Sequence, residues 1–186
     1  MQDNGGLVIP RTIVLIGLMG AGKSCIGRRL AARLRLPFVD ADAEIEAAAG
    51  CSVSDIFSLY GEAAFRDGER RVIARLLSGP VQVLAAGGGA FIDMETRQRI
   101  RERGISIWLR ATLDLLEKRT AGRDHRPLLK QGRPREILGR LIERRYPVYA
   151  EADIIVDSLD EPPEATVHSV LEAVRDHLQA KGGAAR

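Results

Sequence analysis

Apolar residues recur along the chain in two alternating rhythms. Short, nearly continuous apolar runs at 13–16, 38–39, 81–86, 105–109 and 154–156 have the character of strands buried on both faces. Between and after them the spacing changes to three or four residues. Ile26, Leu30 and Leu34 follow the first run, Ile137, Leu138, Leu141 and Ile142 precede the fifth, and Val167, Val170, Leu171, Val174 and Leu178 follow it. That is the spacing of amphipathic helices, and each connection is long enough for a right-handed βαβ crossover. The pattern predicts an α/β fold, a three-layer α/β/α sandwich around a five-stranded parallel sheet. With 186 residues, one substantial core is expected and two independent domains are not. Residues 40–78 form a long helical excursion, broken at Gly50 and again around Gly61, with room for a binding subdomain. The tails 1–9 and 180–186 are expected to be mobile.

Composition narrows the partners. Hydrophobic residues make up 45% and charged residues 28% of the chain, and no apolar run approaches the ~20 residues that span a bilayer, so no membrane role is expected. The first residues lack a basic segment followed by a long apolar one, which predicts a cytoplasmic protein. Cys25 and Cys51 have no metal-like or C-x-x-C spacing, so no disulfide framework is expected. The net charge of +3 could suggest nucleic acid, but 24 of the 28 basic residues are arginines scattered along predicted helices. Aromatics reach only 4%, leaving few platforms for stacked bases, so no nucleic-acid partner is expected.

Candidate chemistry begins where the first apolar run ends. Residues 17–24 read G-L-M-G-A-G-K-S, a P-loop spacing that turns successive backbone N–H groups into one concavity at the positive end of the next helix. A nucleoside triphosphate would be cradled by Gly20, Ala21, Gly22, Lys23, Ser24 and Cys25. Lys23 would bring charge to the outer phosphates, and the Ser24 hydroxyl would ligate the accompanying Mg²⁺.

Further along, Asp40 and Asp42 would point to one side of an extended segment, at the strand end where parallel sheets bind ligands. Alternatively, one of them caps the next helix. Arg66, on an early helical turn, reads most simply as surface charge. Gly87, Gly88 and Gly89 close the third strand, either as bare backbone for close ligand approach or as a flexible turn. No acidic residue ends that strand, so Asp40 is the candidate to organise the metal. The cation-rich segment 120–134 reads as a closing lid or as a charged surface loop. His125 and His168 are expected to be neither base nor ligand.

Taken together, the markers resemble the shikimate kinase family. They stand in family order: the P-loop, Phe38-x-Asp40-x-Asp42, Gly61-Glu-x-x-Phe65-Arg66, Gly87-Gly88-Gly89, Arg126-Pro127-Leu128-Leu129 and Arg145-x-Pro147-x-Tyr149. The resemblance implies phosphoryl transfer from Mg-ATP to the 3-hydroxyl of shikimate, by a monomer, with no covalent enzyme intermediate. It assigns Asp42, Arg66, Gly87, Gly88, Gly89 and Arg145 to shikimate and Ser24 with Asp40 to Mg²⁺. Arg119 and Pro163 would enclose adenine, and the lid residue Arg126 would reach the phosphates. Lys23, Asp42 and Arg126 are the implied catalytic residues. A kinase of another small metabolite, such as gluconate, or a regulatory nucleotide-binding module would share the P-loop. The acceptor residues and the intact P-loop argue against each in turn.

Overall fold

The computed structural model describes residues 7–121 and 133–183. Strands β1 (Thr12–Ile16), β2 (Phe38–Asp40), β3 (Val83–Ala85), β4 (Gly104–Arg110) and β5 (Ile154–Asp157) form one sheet in the order β2-β3-β1-β4-β5. Every neighbouring pair is parallel, as the apolar runs predict. The helices are α1 (Lys23–Leu34), α2 (Ala41–Ala49), α3 (Val53–Leu77), α4 (Met94–Arg103), α5 (Leu113–Thr120), α6 (Pro134–Tyr149) and α7 (Pro163–Gly183). α1 packs beside α7 on one side of the sheet, while α3, α4 and α6 meet around a single 3-10 turn (Ala90–Ile92) on the other. Among the described residues, no helix is long and apolar enough to cross a membrane.

The centre of the sheet is its driest part. All five β1 residues are buried, as are six of the seven in β4. Continuous burial fails at the edge: β5 alternates, with Ile154 and Val156 inside while Ile155 is 42% exposed. An edge strand covered on one face has the period-2 pattern of its pleat. There Arg110 and Asp157, directly opposite in the register, pair through two hydrogen bonds of 2.6 and 2.9 Å.

Glycine breaks the excursion where the sequence predicts. Gly50 caps α2 at φ 69°, and Gly61 interrupts α3 at φ 81°, ψ 172°. Beneath them Ile45, Ile56, Phe65 and Val72 form a hydrophobic cluster separate from the main core. Two boundaries differ from expectation. The helical pattern that starts at Ile137 is expected to end near Arg144-Arg145-Tyr146-Pro147, but α6 continues to Tyr149. Pro147 removes one helical donor, but Tyr146 and Tyr149 pack around Trp108 and hold the last turn. α7 also runs on to Gly183, into the segment expected to be a mobile tail.

At the opposite end from the P-loop, Asp153 ties the start of β5 to β4. Its Oδ2 accepts from the Ser106 N–H at 2.9 Å and the Ser106 hydroxyl at 2.7 Å. Although burial opposes ionisation, these bonds, with Lys181 and His177 nearby, hold its carboxyl below the ordinary 3.8. A depressed folded pKa contributes stability above the unfolded value, which is lost as pH falls through the folded one. Asp153→Ala should therefore cost about 2 kcal/mol at pH 7. In chemical denaturation, the gap from wild type should shrink as the pH falls below 3.8.

Candidate active site

Three neighbouring strands deliver the site. In the register Asp40 lies beside Ala85, and Ala85 beside Leu15. The carboxyl ends of β2, β3 and β1 therefore open together into the crevice where parallel sheets bind ligands.

Beyond β1 the chain turns through Gly17, Gly20 and Gly22, all at positive φ. At Gly17 any side chain is also blocked, because a Cβ would lie 2.7 Å from the Leu109 carbonyl oxygen. Gly22 caps α1 without a side-chain hydrogen bond, so the α1 N-terminus faces the loop through backbone alone. The Lys23 ammonium donates to the carbonyls of Gly17 at 2.9 Å and Leu18 at 3.1 Å. The Ser24 hydroxyl donates to Asp40 Oδ2 at 2.7 Å.

The aspartates are not side by side on an extended strand. Asp40 is the N-cap of α2, and its Oδ1 accepts from the Asp42 N–H at 3.1 Å, while Asp42 already belongs to the first helical turn. One aspartate caps the helix and the other stands on it. Both line a cavity of about 330 Å³, together with Lys23, Ser24, Arg66, Gly87, Gly88, Gly89 and Arg145.

Each of the three glycines makes room for a different charged or polar side chain of this cavity. A Cβ on Gly87 would lie 2.6 Å from Glu69 Oε1 and 3.1 Å from Asp42 Oδ1, and one on Gly88 would lie 3.1 Å from Arg145 Nη1. On Gly89 it would overlap the Arg66 guanidinium. None of the three has positive φ, so space, not backbone freedom, requires glycine here.

Arg66 is not a surface charge. Its Nη1 donates to Glu69 Oε2 at 2.6 Å and its Nη2 to Glu62 at 3.3 Å. Glu69 is 2% exposed, and its Oε1 has no hydrogen-bond partner. Burial pushes the Glu69 carboxyl above its usual range, against the pull of Arg66. The sequence reading missed Glu69, although its placement one helical turn after Arg66 was visible. Phe57 and Phe65, with rings 4.7 Å apart, form the aromatic wall of the cavity.

A second cavity of about 390 Å³ lies on the other side of the P-loop, lined by Gly20, Gly22, Cys25, Arg119, Ser158 and Pro163. Lys23 and Ser24 line both cavities. Ala21 is buried beneath the loop. Arg119 spans α5 and the segment after β5, donating to Ser158 Oγ at 2.8 Å, to the Leu159 carbonyl at 2.6 Å and to the Gly20 carbonyl at 3.5 Å. Ser158 gave no sign of this role in the sequence. Arg126 and His125, with most of the expected lid, lie outside the described residues. His168 pairs with Glu172 on an exposed face of α7, away from either cavity.

This packing predicts that Gly89→Ala displaces the Arg66 guanidinium. The stability measured by chemical denaturation should fall by about 1–3 kcal/mol, the cost of forcing a methyl group into filled space.

Comparison with known proteins agrees with the layout. The family model described as shikimate kinase matches residues 19–175. A shikimate kinase of Paramagnetospirillum magneticum is 71% identical over 170 residues, covering 91% of this chain and 87% of the relative. One from Caulobacter vibrioides is 56% identical over 165 residues, covering 89% and 82%. Among solved structures, the shikimate kinase from Acinetobacter baumannii in complex with shikimate superposes with a TM-score of 0.87 at 35% identity, over 89% of this chain and 93% of that one. A gluconokinase from Sinorhizobium meliloti shares the fold at a TM-score of 0.61 and 18% identity, over 95% and 98%. A family match across most of the chain and relatives this similar leave one conclusion: the chain belongs to the shikimate kinase family.

Proposed function

We propose that the chain transfers the γ-phosphoryl group of ATP to the 3-hydroxyl of shikimate, giving shikimate 3-phosphate and ADP in aromatic amino-acid (chorismate) biosynthesis. The observation that carries this reading is the pair of cavities meeting at Lys23 and Ser24. A triphosphate along the P-loop would end where an acceptor in the first cavity begins. Phosphoryl transfer depends mainly on such positioning and on charge stabilisation.

In this reading Arg66 and Arg145 pair the shikimate carboxylate, matching a planar anion with planar guanidinium forks. Gly87, Gly88 and Gly89 border the ring, and Asp42 orients the 3-hydroxyl and accepts its proton. Gly20, Ala21, Gly22, Lys23, Ser24 and Cys25 cradle the phosphates, Lys23 adds positive charge, and Arg119 and Pro163 flank the adenine. Arg126 completes the phosphate contacts from the segment 120–134. The excursion 40–78 serves as the acceptor-binding part of one kinase domain.

The metal assigned here is Mg²⁺, held by Ser24 and Asp40. Their 2.7 Å contact offers only oxygen ligands. Among the described residues no group of three or more His, Cys, Asp or Glu could hold a metal by itself. Few protein oxygens, completed by phosphate and water, suit Mg²⁺. Bound there, it would neutralise charge on the phosphate oxygens. In this reading the enzyme works as an ATP-using monomer of the cytoplasm.

Turnover with MgATP should be tested with shikimate, gluconate and AMP offered in parallel. ADP release is expected with shikimate alone. Tight nucleotide binding without acceptor-dependent release would sink the reading in favour of a regulatory module. Asp42→Asn separates its two roles: loss of a proton acceptor should lower kcat by about 10²-fold or more. A wild-type kcat with a raised shikimate KM would leave Asp42 with orientation only.

A further inference from the structure

The Gly88 carbonyl accepts two hydrogen bonds from α6. Arg145 Nη1 donates at 2.8 Å, and the Tyr149 hydroxyl donates to the same oxygen. The two donors stand one helical turn apart on one face of α6, and both lone pairs of the carbonyl are engaged. Tyr149 is 0% exposed, with its ring packed against Trp108 and Tyr146 at centroid distances of 5.8 and 6.2 Å. Burial raises its hydroxyl to about 12, so it remains a neutral donor across the working pH range. Gly88 leaves room for the arginine: a Cβ there would lie 3.1 Å from Arg145 Nη1, a tight approach, but an ordinary 3.8 Å from the Tyr149 hydroxyl oxygen.

We propose that Tyr149 is a positioning residue for recognition of the acceptor's carboxylate, acting through the Gly88 carbonyl on Arg145 and on the glycine turn. The inference rests on the function proposed above. A glycine-only turn has no side chains to lock it, so its peptide planes must be held from outside. Peptide units are planar, and this chain contains no cis bond among the described residues. Anchoring the Gly88 carbonyl toward α6 therefore also directs the Gly89 N–H away from α6. The same anchor fixes the end of Arg145, a long side chain that would otherwise lose rotamer freedom on binding. Tyr149 itself is held in the turn of α6 beyond Pro147 by the aromatic cluster, so rigidity passes from the core to the binding groups.

Tyr149→Phe removes the hydroxyl and keeps the ring. The shikimate KM should rise about five- to tenfold, the range expected for one buried neutral hydrogen bond, with ATP KM and Tm close to wild type. Tyr146→Phe removes a neighbouring hydroxyl of the same aromatic cluster, one that donates to the Ala111 carbonyl and not to Gly88, and its shikimate KM should stay within about twofold of wild type. An unchanged shikimate KM in Tyr149→Phe, with the unmodified chain active, overturns this inference alone. An equal rise in Tyr146→Phe also overturns it, by showing that general disturbance of the cluster is responsible. An unmodified chain without shikimate-dependent turnover overturns the parent function and this inference with it.

Discussion

β1 is hydrogen-bonded on both edges, to β3 and to β4, and buried along its whole length, and the site is indexed to it. Parallel pairing sets the height at which each neighbour ends. Because Leu15 is level with Ala85 and Ala85 with Asp40, the P-loop, the glycine turn and the capping aspartate emerge together. The fit is close on the far side as well, where Gly17 passes the β4 carbonyl of Leu109 with no space for a side chain. A one-residue slip of β1 would exchange the side chains that face the two helical layers and misplace the P-loop against both neighbours.

Around that frame, charge is placed in compensating pairs. The first cavity brings three cations, Lys23, Arg66 and Arg145, together with four carboxylates, Asp40, Asp42, Glu46 and Glu69. An uncompensated buried charge would be costly, and the short Arg66–Glu69 bond offsets part of that cost. It also narrows the arginine's freedom. The carboxyl of Glu69 shows the tension directly, because burial raises its pKa while Arg66 pulls it down.

Glycine serves two separate purposes here. In the P-loop it supplies left-handed backbone at Gly20 and Gly22 that other residues rarely adopt. After β3 its backbone is ordinary, and its value is the missing Cβ, which lets Glu69, Arg145 and Arg66 approach the main chain. A single sequence feature, a glycine cluster at a strand end, thus conceals two physical requirements that only packing separates.

The amino-acid sequence by itself determined the sheet, the crossover helices, the P-loop and the order of the family's markers, because these follow from local periodicity and from fixed spacing within one loop. Its edge assignments were weaker. Pro147 looked like a helix end because its missing donor is a local property, whereas the aromatic packing that carries α6 past it is not. The paired aspartates looked extended because alternation along a strand is local, whereas the start of α2 at Ala41 depends on Asp40 serving as its cap. Tertiary structure alone decided that Arg66 faces inward, that Glu69 is its buried partner, that Tyr149 and Arg145 share one carbonyl, and that two cavities meet at Lys23 and Ser24. Arg66 and Glu69 stand one turn apart on α3, but their burial, like the shared Gly88 carbonyl and the meeting of the cavities, depends on elements distant along the chain, which no local pattern encodes.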